Sequence, residues 1–349
     1  MNPAFQSTTS AKIFCALIAS LLCLPVLTKL VGHPPREQAY AGMSDATGQV
    51  GVHVREIFLE HQETDVLFLG SSLVTAGVDA PAIEKSLSEH LQRPAHIQIL
   101  GLNWQGMDLQ YLLLRDYLET HHPGLIIWNP PFPGSRDIEP HLKAYHWLRF
   151  GEYSDALNGL SIRYRLTLYG EMILGAPREL LSHLRPNRIG RSELREKVRL
   201  ANRGYYESPF IPESIDTFPV PDVSGTQETS PFPLVRIEGR PLNSYELHFA
   251  RKIAALAAVN HIRLDILHVP TDGEKGKDYI PERCAWATIV SGPYTFIGLP
   301  SSVLFHEASD SRFYHFYRDQ HLNENGARLF TRSITGAVEA AYDHKDEHD

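Results

Sequence analysis

Short apolar runs that end at turn-forming residues and alternate with stretches of helical spacing restrict this chain to an α/β architecture. Asp65 to Leu69 closes at Gly70, His96 to Leu100 closes at Gly101, and Leu125 to Trp128 closes at Asn129. Such runs read as buried strands. Between them, Asp79, Ala80 and Pro81 open a helix through Ile83 to Leu91. Gly106 opens another toward Thr120, with Leu109, Leu112, Leu113 and Tyr117 on one face. Strand and helix in alternation require crossovers, which imply a parallel sheet with helices on both faces. The same pattern returns late in the chain. Ser244 to Asn260 reads as a helix, Ile262 to Leu267 and Tyr294 to Ile297 as strands, and Glu324 to Tyr342 as a closing helix with Asn323 as its N-cap.

Between the two halves the alternation lapses. Leu157, Leu160, Tyr164, Leu168 and Met172 form an amphipathic stripe. Residues 178–203 carry eight Arg or Lys against three Glu, either a solvated face or a contact for anionic headgroups or an acidic polymer. Seven prolines across 208–242 read as loop. The expected organisation is therefore an N-terminal anchor at 1–32, a linker at 33–50 and a first α/β half at 51–135. A helical and loop insertion follows at 136–243, then the second α/β half at 244–342 and an acidic tail at 343–349.

The N-terminal segment sets a separate expectation. Ile13 to Thr28 carries no charge, with Lys12 before it and Lys29 after it. Extended to Gly32, it approaches the length of about 20 residues that spans a bilayer. An uncleaved single-pass signal anchor is expected over a removed signal peptide, because the small-x-small triplet Ala39-Tyr40-Ala41 lies far beyond the apolar run. Lysines on both sides leave the orientation to be argued from chemistry; an extracytoplasmic, periplasm-facing domain is the expectation.

Composition removes several classes of function. With 349 residues and a net charge of −8, the chain is not a generally basic nucleic-acid binder. Its three cysteines, two of them (Cys15 and Cys23) inside the apolar run and the third Cys284, cannot build a disulfide scaffold. No histidines fall at metal-ligand spacing and no glycine-rich phosphate loop is present, so no cofactor or metal is expected.

In an open α/β sheet, ligands bind beyond the carboxyl ends of the strands. Gly70-Ser71-Ser72-Leu73 follows the first strand, Gly101 to Gly106 the second, and Asn129-Pro130-Pro131 the third. Asp319-Gln320-His321-Leu322-Asn323 precedes the last helix. A hydroxyl, glycine amides, a carboxamide and an Asp/His pair thus share one edge. These are the parts of an acyl-transfer site: nucleophile, base, orienting acid and oxyanion donors. Serine needs a neighbouring base, and imidazole serves best near neutral pH. On this reading Ser72 is the nucleophile, His321 the base and Asp319 the orienting acid. Amides of Ser72 and Gly106, with the Asn129 side chain, would meet the oxyanion. Asp310 is an alternative acid, and a Ser–His dyad is the other.

These segments resemble the SGNH, or GDSL-type, hydrolases. The block around Gly70-Ser71-Ser72 is similar to the family's nucleophile block, Gly106 matches its oxyanion glycine, and Asn129 stands where its third block carries an Asn. The segment around His321, Asn323 and Gly326 resembles the last block, with one residue instead of two between Asp319 and His321. The resemblance implies a flavodoxin-like three-layer α/β/α sheet and serine esterase or O-acyltransferase chemistry. The layout, an N-terminal anchor before an SGNH-like domain, is similar to envelope proteins that work beside membrane-bound O-acyltransferases. It implies an acylated envelope polysaccharide as substrate, with acetyl as the expected acyl group. A catalytically silent glycan-binding or scaffolding partner on the same fold is the rival expectation.

Overall fold

The first three expected strands form side by side. In a computed structural model, β1 (Val66–Ser71), β2 (Ile97–Leu102), β3 (Leu125–Trp128), β4 (Arg263–Leu267) and β5 (Phe296–Ile297) make one five-stranded sheet in the order β2-β1-β3-β4-β5. Every pairing is parallel; Val66 lies opposite Ile97 on one side and Leu125 on the other. This is the doubly wound order whose direction reverses between β1 and β3. The structure describes residues 8–31, 36, 49–102, 106–130, 162–163, 165–166, 170, 173, 244–271, 289–290, 294–299, 301–305, 313 and 321–345.

The central strands are apolar on both faces because both are covered. Val66 and Phe68 of β1 and Leu125 and Ile127 of β3 face one core. There they meet Ile83 and Leu87 of α4 (Ala80–Leu91) and Phe330, Ile334 and Val338 of α8 (Glu324–Asp343). Successive side chains of a strand alternate in direction, so the intervening residues of β3 face the other layer. That layer holds α5 (Met107–Leu118) and α6 (Ser244–Val259), and Trp128 Nε1 donates to Gln110 Oε1 of α5 at 2.7 Å. The sequence reading did not include α2 (Gln49–Phe58), which packs on β2 and α5, the short α3 (Ser72–Gly77), or the small helix after β5. A four-residue helix, α7 (Ser301–Leu304), follows β5.

β1 and α8 run in opposite directions and are fastened at both ends. At the amino end of β1, Asp65 accepts from Arg93 Nη2 at 2.6 Å, from the Tyr342 hydroxyl at 2.7 Å and from the His96 amide at 2.8 Å. Burial pushes the Asp65 carboxyl up, but the bonds from Arg93, Tyr342 and the His96 amide together hold it below its ordinary value. Burial first, and then the Asp65 carboxylate, push the Tyr342 phenol up to about 12.

At its other end α8 is capped as expected: Asn323 Oδ1 accepts from the Gly326 amide at 3.0 Å. Gly326 has no room for a side chain, since a Cβ there would lie 2.2 Å from the Phe313 carbonyl oxygen. The match of this segment to Asn-x-x-Gly thus has a packing cause.

The chain divides into two units, Met1–Ser44 with Pro140–Arg191, and Asp45–Glu139 with Ser192–Asp349. The sheet belongs to the second. In the first, the apolar N-terminal run forms the 24-residue helix α1 (Thr8–Val31), on which Ile13, Phe14, Leu17, Ile18, Leu21 and Leu22 are exposed. Among the described residues, no helix is long and apolar enough to cross a membrane. The amphipathic stripe 157–172, apart from residues 162, 163, 165, 166 and 170, lies outside the described residues, as do the basic stretch 178–203 and Cys284.

Candidate active site

The nucleophile candidate sits where strand becomes helix without an intervening loop. β1 ends at Ser71, whose extended backbone and side chain cap the next turn by accepting from the Leu73 amide at 3.3 Å. Ser72 is the first residue of α3 and is 7% exposed. So abrupt a turn requires Gly70: a Cβ there would lie 2.2 Å from Val74 Cγ2 and 3.1 Å from Asn129 Cβ. The second distance also shows that the carboxyl ends of β1 and β3 are in contact, at the point where the strand order reverses.

His321 reaches Ser72 from the opposite end of the chain. Its Nε2 lies 2.7 Å from Ser72 Oγ, a full hydrogen bond between residues 249 apart in sequence. The following residues hold the imidazole in place. Leu322 is buried, with its Cδ1 over Gly77 of α3, and the Asn323 amide donates to the Phe313 carbonyl at 2.9 Å. The Asp79 amide just after α3 donates to Thr331 Oγ1 of α8 at 2.9 Å, which ties the two helices that carry the pair. For Ser72 to donate to Nε2, the resting imidazole carries its proton on Nδ1.

The other sequence-predicted groups are placed as follows. Gly106 stands at the N-cap of α5, partly exposed and extended, beyond the end of β2. Asn129 follows β3 and is 5% exposed; its Nδ2 donates to the Leu267 carbonyl of β4 at 2.9 Å, and no described group partners its Oδ1. Its carboxamide therefore links two strands as well as standing beside Gly70. Asp319 and the alternative acid Asp310 lie outside the described residues. Among the described residues no three His, Cys, Asp or Glu side chains gather as a metal site.

One polar group near this edge was missed in the sequence. His53 of α2 is buried, with Nδ1 3.0 Å from Glu56 Oε2 and Nε2 2.9 Å from the Gly101 carbonyl at the end of β2. Its local signal is the spacing of three between His53 and Glu56, at the start of the first α/β half (51–135), where the sequence reading assigned no element before Asp65.

Chemically, a buried serine hydroxyl bonded to an imidazole is the pairing that activates oxygen for attack on an acyl carbon. No protein-family model matches the chain, and no curated protein sequence matches it.

Proposed function

We propose that this chain is a serine esterase or O-acyltransferase of SGNH type. The observation that carries the reading is the 2.7 Å contact of His321 Nε2 with Ser72 Oγ at the carboxyl edge of a parallel sheet. It is supported by the strand order β2-β1-β3-β4-β5 and by the positions of the pair, one directly after β1 and the other directly before the last helix.

On this reading Ser72 Oγ attacks the carbonyl carbon of an ester while His321 Nε2 takes the hydroxyl proton. The tetrahedral intermediate collapses as His321 returns that proton to the departing alkoxide, leaving an acyl-serine. A water or a second sugar hydroxyl then attacks, with His321 again as base, and the Ser72 oxygen leaves as the proton comes back. Amides of Ser72 and Gly106, with the second N–H of Asn129, are the proposed oxyanion donors; each such donor contributes about 3 kcal/mol in well-formed sites. Asp319 is the proposed orienting acid. The substrate proposed is an acylated envelope polysaccharide, met outside the cytoplasm by a domain that α1 holds at a bilayer, beside a membrane-bound O-acyltransferase.

A second reading, a silent glycan-binding partner, draws on the commitment of Asn129 Nδ2 to Leu267. One experiment separates the two. Fluorophosphonate labelling and hydrolysis of 4-nitrophenyl acetate are measured for the wild-type chain and for Ser72→Ala. Labelling and turnover that vanish in the variant support the enzyme; a wild-type chain that neither labels nor hydrolyses, yet binds acetylated polysaccharide, supports the partner.

A further inference from the structure

The carbonyl of Gly101 is held from two sides. His53 Nε2 approaches it at 2.9 Å from α2, and Thr75 Oγ1 donates to it at 3.3 Å from α3, the helix that begins with Ser72. Gly101 is also closely fitted to the nucleophile turn, since a Cβ on it would stand 2.7 Å from Thr75 Oγ1 and 3.0 Å from the Ser71 carbonyl oxygen. In register it pairs with Gly70, and Leu102 pairs with Ser71. The chain leaving this point leads within a few residues to Gly106 at the head of α5.

The chemistry of His53 makes the attachment directional. A carbonyl oxygen can only accept, so Nε2 must carry a proton. Nδ1 faces the Glu56 carboxyl at 3.0 Å, and a second proton must lie in that contact for it to hold. Both His53 and Glu56 are 6% exposed, where an unmade bond costs most. Glu56 thus fixes the ring plane, and the ring fixes the end of β2.

We propose that His53 is a positioning residue for the Ser72–His321 site. Clamped by Glu56, it sets the Gly101 carbonyl and through it the backbone that carries the Gly106 amide toward the acyl oxygen. The inference rests on the esterase reading above, and it predicts effects on turnover rather than on substrate capture, because the two ring nitrogens of His53 face Glu56 and the Gly101 carbonyl.

The test uses the full chain with His53→Ala, His53→Gln and Glu56→Gln. Steady-state hydrolysis of 4-nitrophenyl acetate, melting temperature and backbone hydrogen exchange are followed. A misplaced oxyanion donor costs about 10- to 100-fold in kcat. His53→Ala should show a loss of that order with KM within about 3-fold, and His53→Gln, which keeps a donor for Gly101, should recover most of it. Exchange should quicken across 100–107 and stay unchanged in β3. Wild-type kcat in a folded His53→Ala, or unaltered exchange across 100–107, overturns the inference while leaving the enzyme reading intact. A wild-type chain that neither hydrolyses nor labels at Ser72 overturns the esterase reading instead, and the exchange measurement still decides whether His53 holds this backbone.

Discussion

His321 Nε2 and Ser72 Oγ stand 2.7 Å apart at one end of the β1–α8 pair, while Tyr342 and Asp65 close the other end at 2.7 Å. The two contacts are bridged by β1, six residues and about 20 Å at 3.3 Å per residue, and by α8, 20 residues and about 30 Å at 1.5 Å per residue. The site is thus built on rigid elements fastened at both ends, which is what holding a nucleophile within reach of its base requires.

Replacing His321 by Ala should remove the base without disturbing the core, because the imidazole is only partly buried while Leu322 and Asn323 beside it stay in place. A general base contributes about 10²- to 10⁴-fold. Ester hydrolysis should fall by that factor with the melting temperature within a few degrees of wild type. Unchanged hydrolysis in this variant would remove His321 from the mechanism.

The strands were legible because apolar runs bounded by Gly70, Gly101 and Asn129 have few other uses, and Ser72 and His321 were legible as candidates because one follows such a run and the other precedes the closing helix. Asn323 was legible as a cap from its place before a polar-led helix. What the sequence withheld was three-dimensional. α3 carries no local signal because it starts on the residue after the strand, with no linker to announce it. α2 offers only Val54 and Ile57 as fully buried apolar anchors among its described side chains, too few for a periodic signal. The bonds of His53 to Gly101 and Asn129 to Leu267 join residues 48 and 138 apart, and no local pattern encodes them.

The apolar side chains of α1 give a membrane test. Six large ones between Ile13 and Leu22 are exposed along this one helix. Embedding in lipid would satisfy all of them at once. Leu17→Arg with Leu21→Arg would place two charges in that segment, at about 2.5–3.5 kcal/mol each at the bilayer centre. The double variant should move from the membrane pellet to the soluble fraction at alkaline pH. If wild-type chain is already fully soluble there, α1 does not anchor it.

Asp65 sets the acid limit of this fold. Its folded pKa is depressed below 3.8, so the carboxylate stabilises the fold at every pH above that ordinary value. The contribution is lost as pH falls through the lower, folded value. Asp65→Asn should cost about 1.5–3 kcal/mol near neutrality, through weakened bonds to Arg93 and Tyr342. The melting curves of variant and wild type should converge below pH 3.8. A difference that persists unchanged to pH 2.5 would show that packing, not the charge, is responsible.

Asn129 separates a link between strands from a catalytic donor. Its Nδ2 bond to the Leu267 carbonyl is one neutral hydrogen bond, about 1 kcal/mol of net stability. An oxyanion donor would add a loss of about 10²- to 10³-fold in kcat when removed. Asn129→Ala should therefore show both a modest fall in melting temperature and a large fall in kcat, with KM little changed. Asn129→Asp is the sharper variant: it keeps the volume but replaces both amide protons with acceptors, which would face the Leu267 carbonyl and the developing negative charge alike. Its kcat should fall at least as far as that of Asn129→Ala. A variant that melts lower yet turns over at the wild-type rate would assign Asn129 to the sheet alone, and leave the Ser72 and Gly106 amides to stabilise the intermediate.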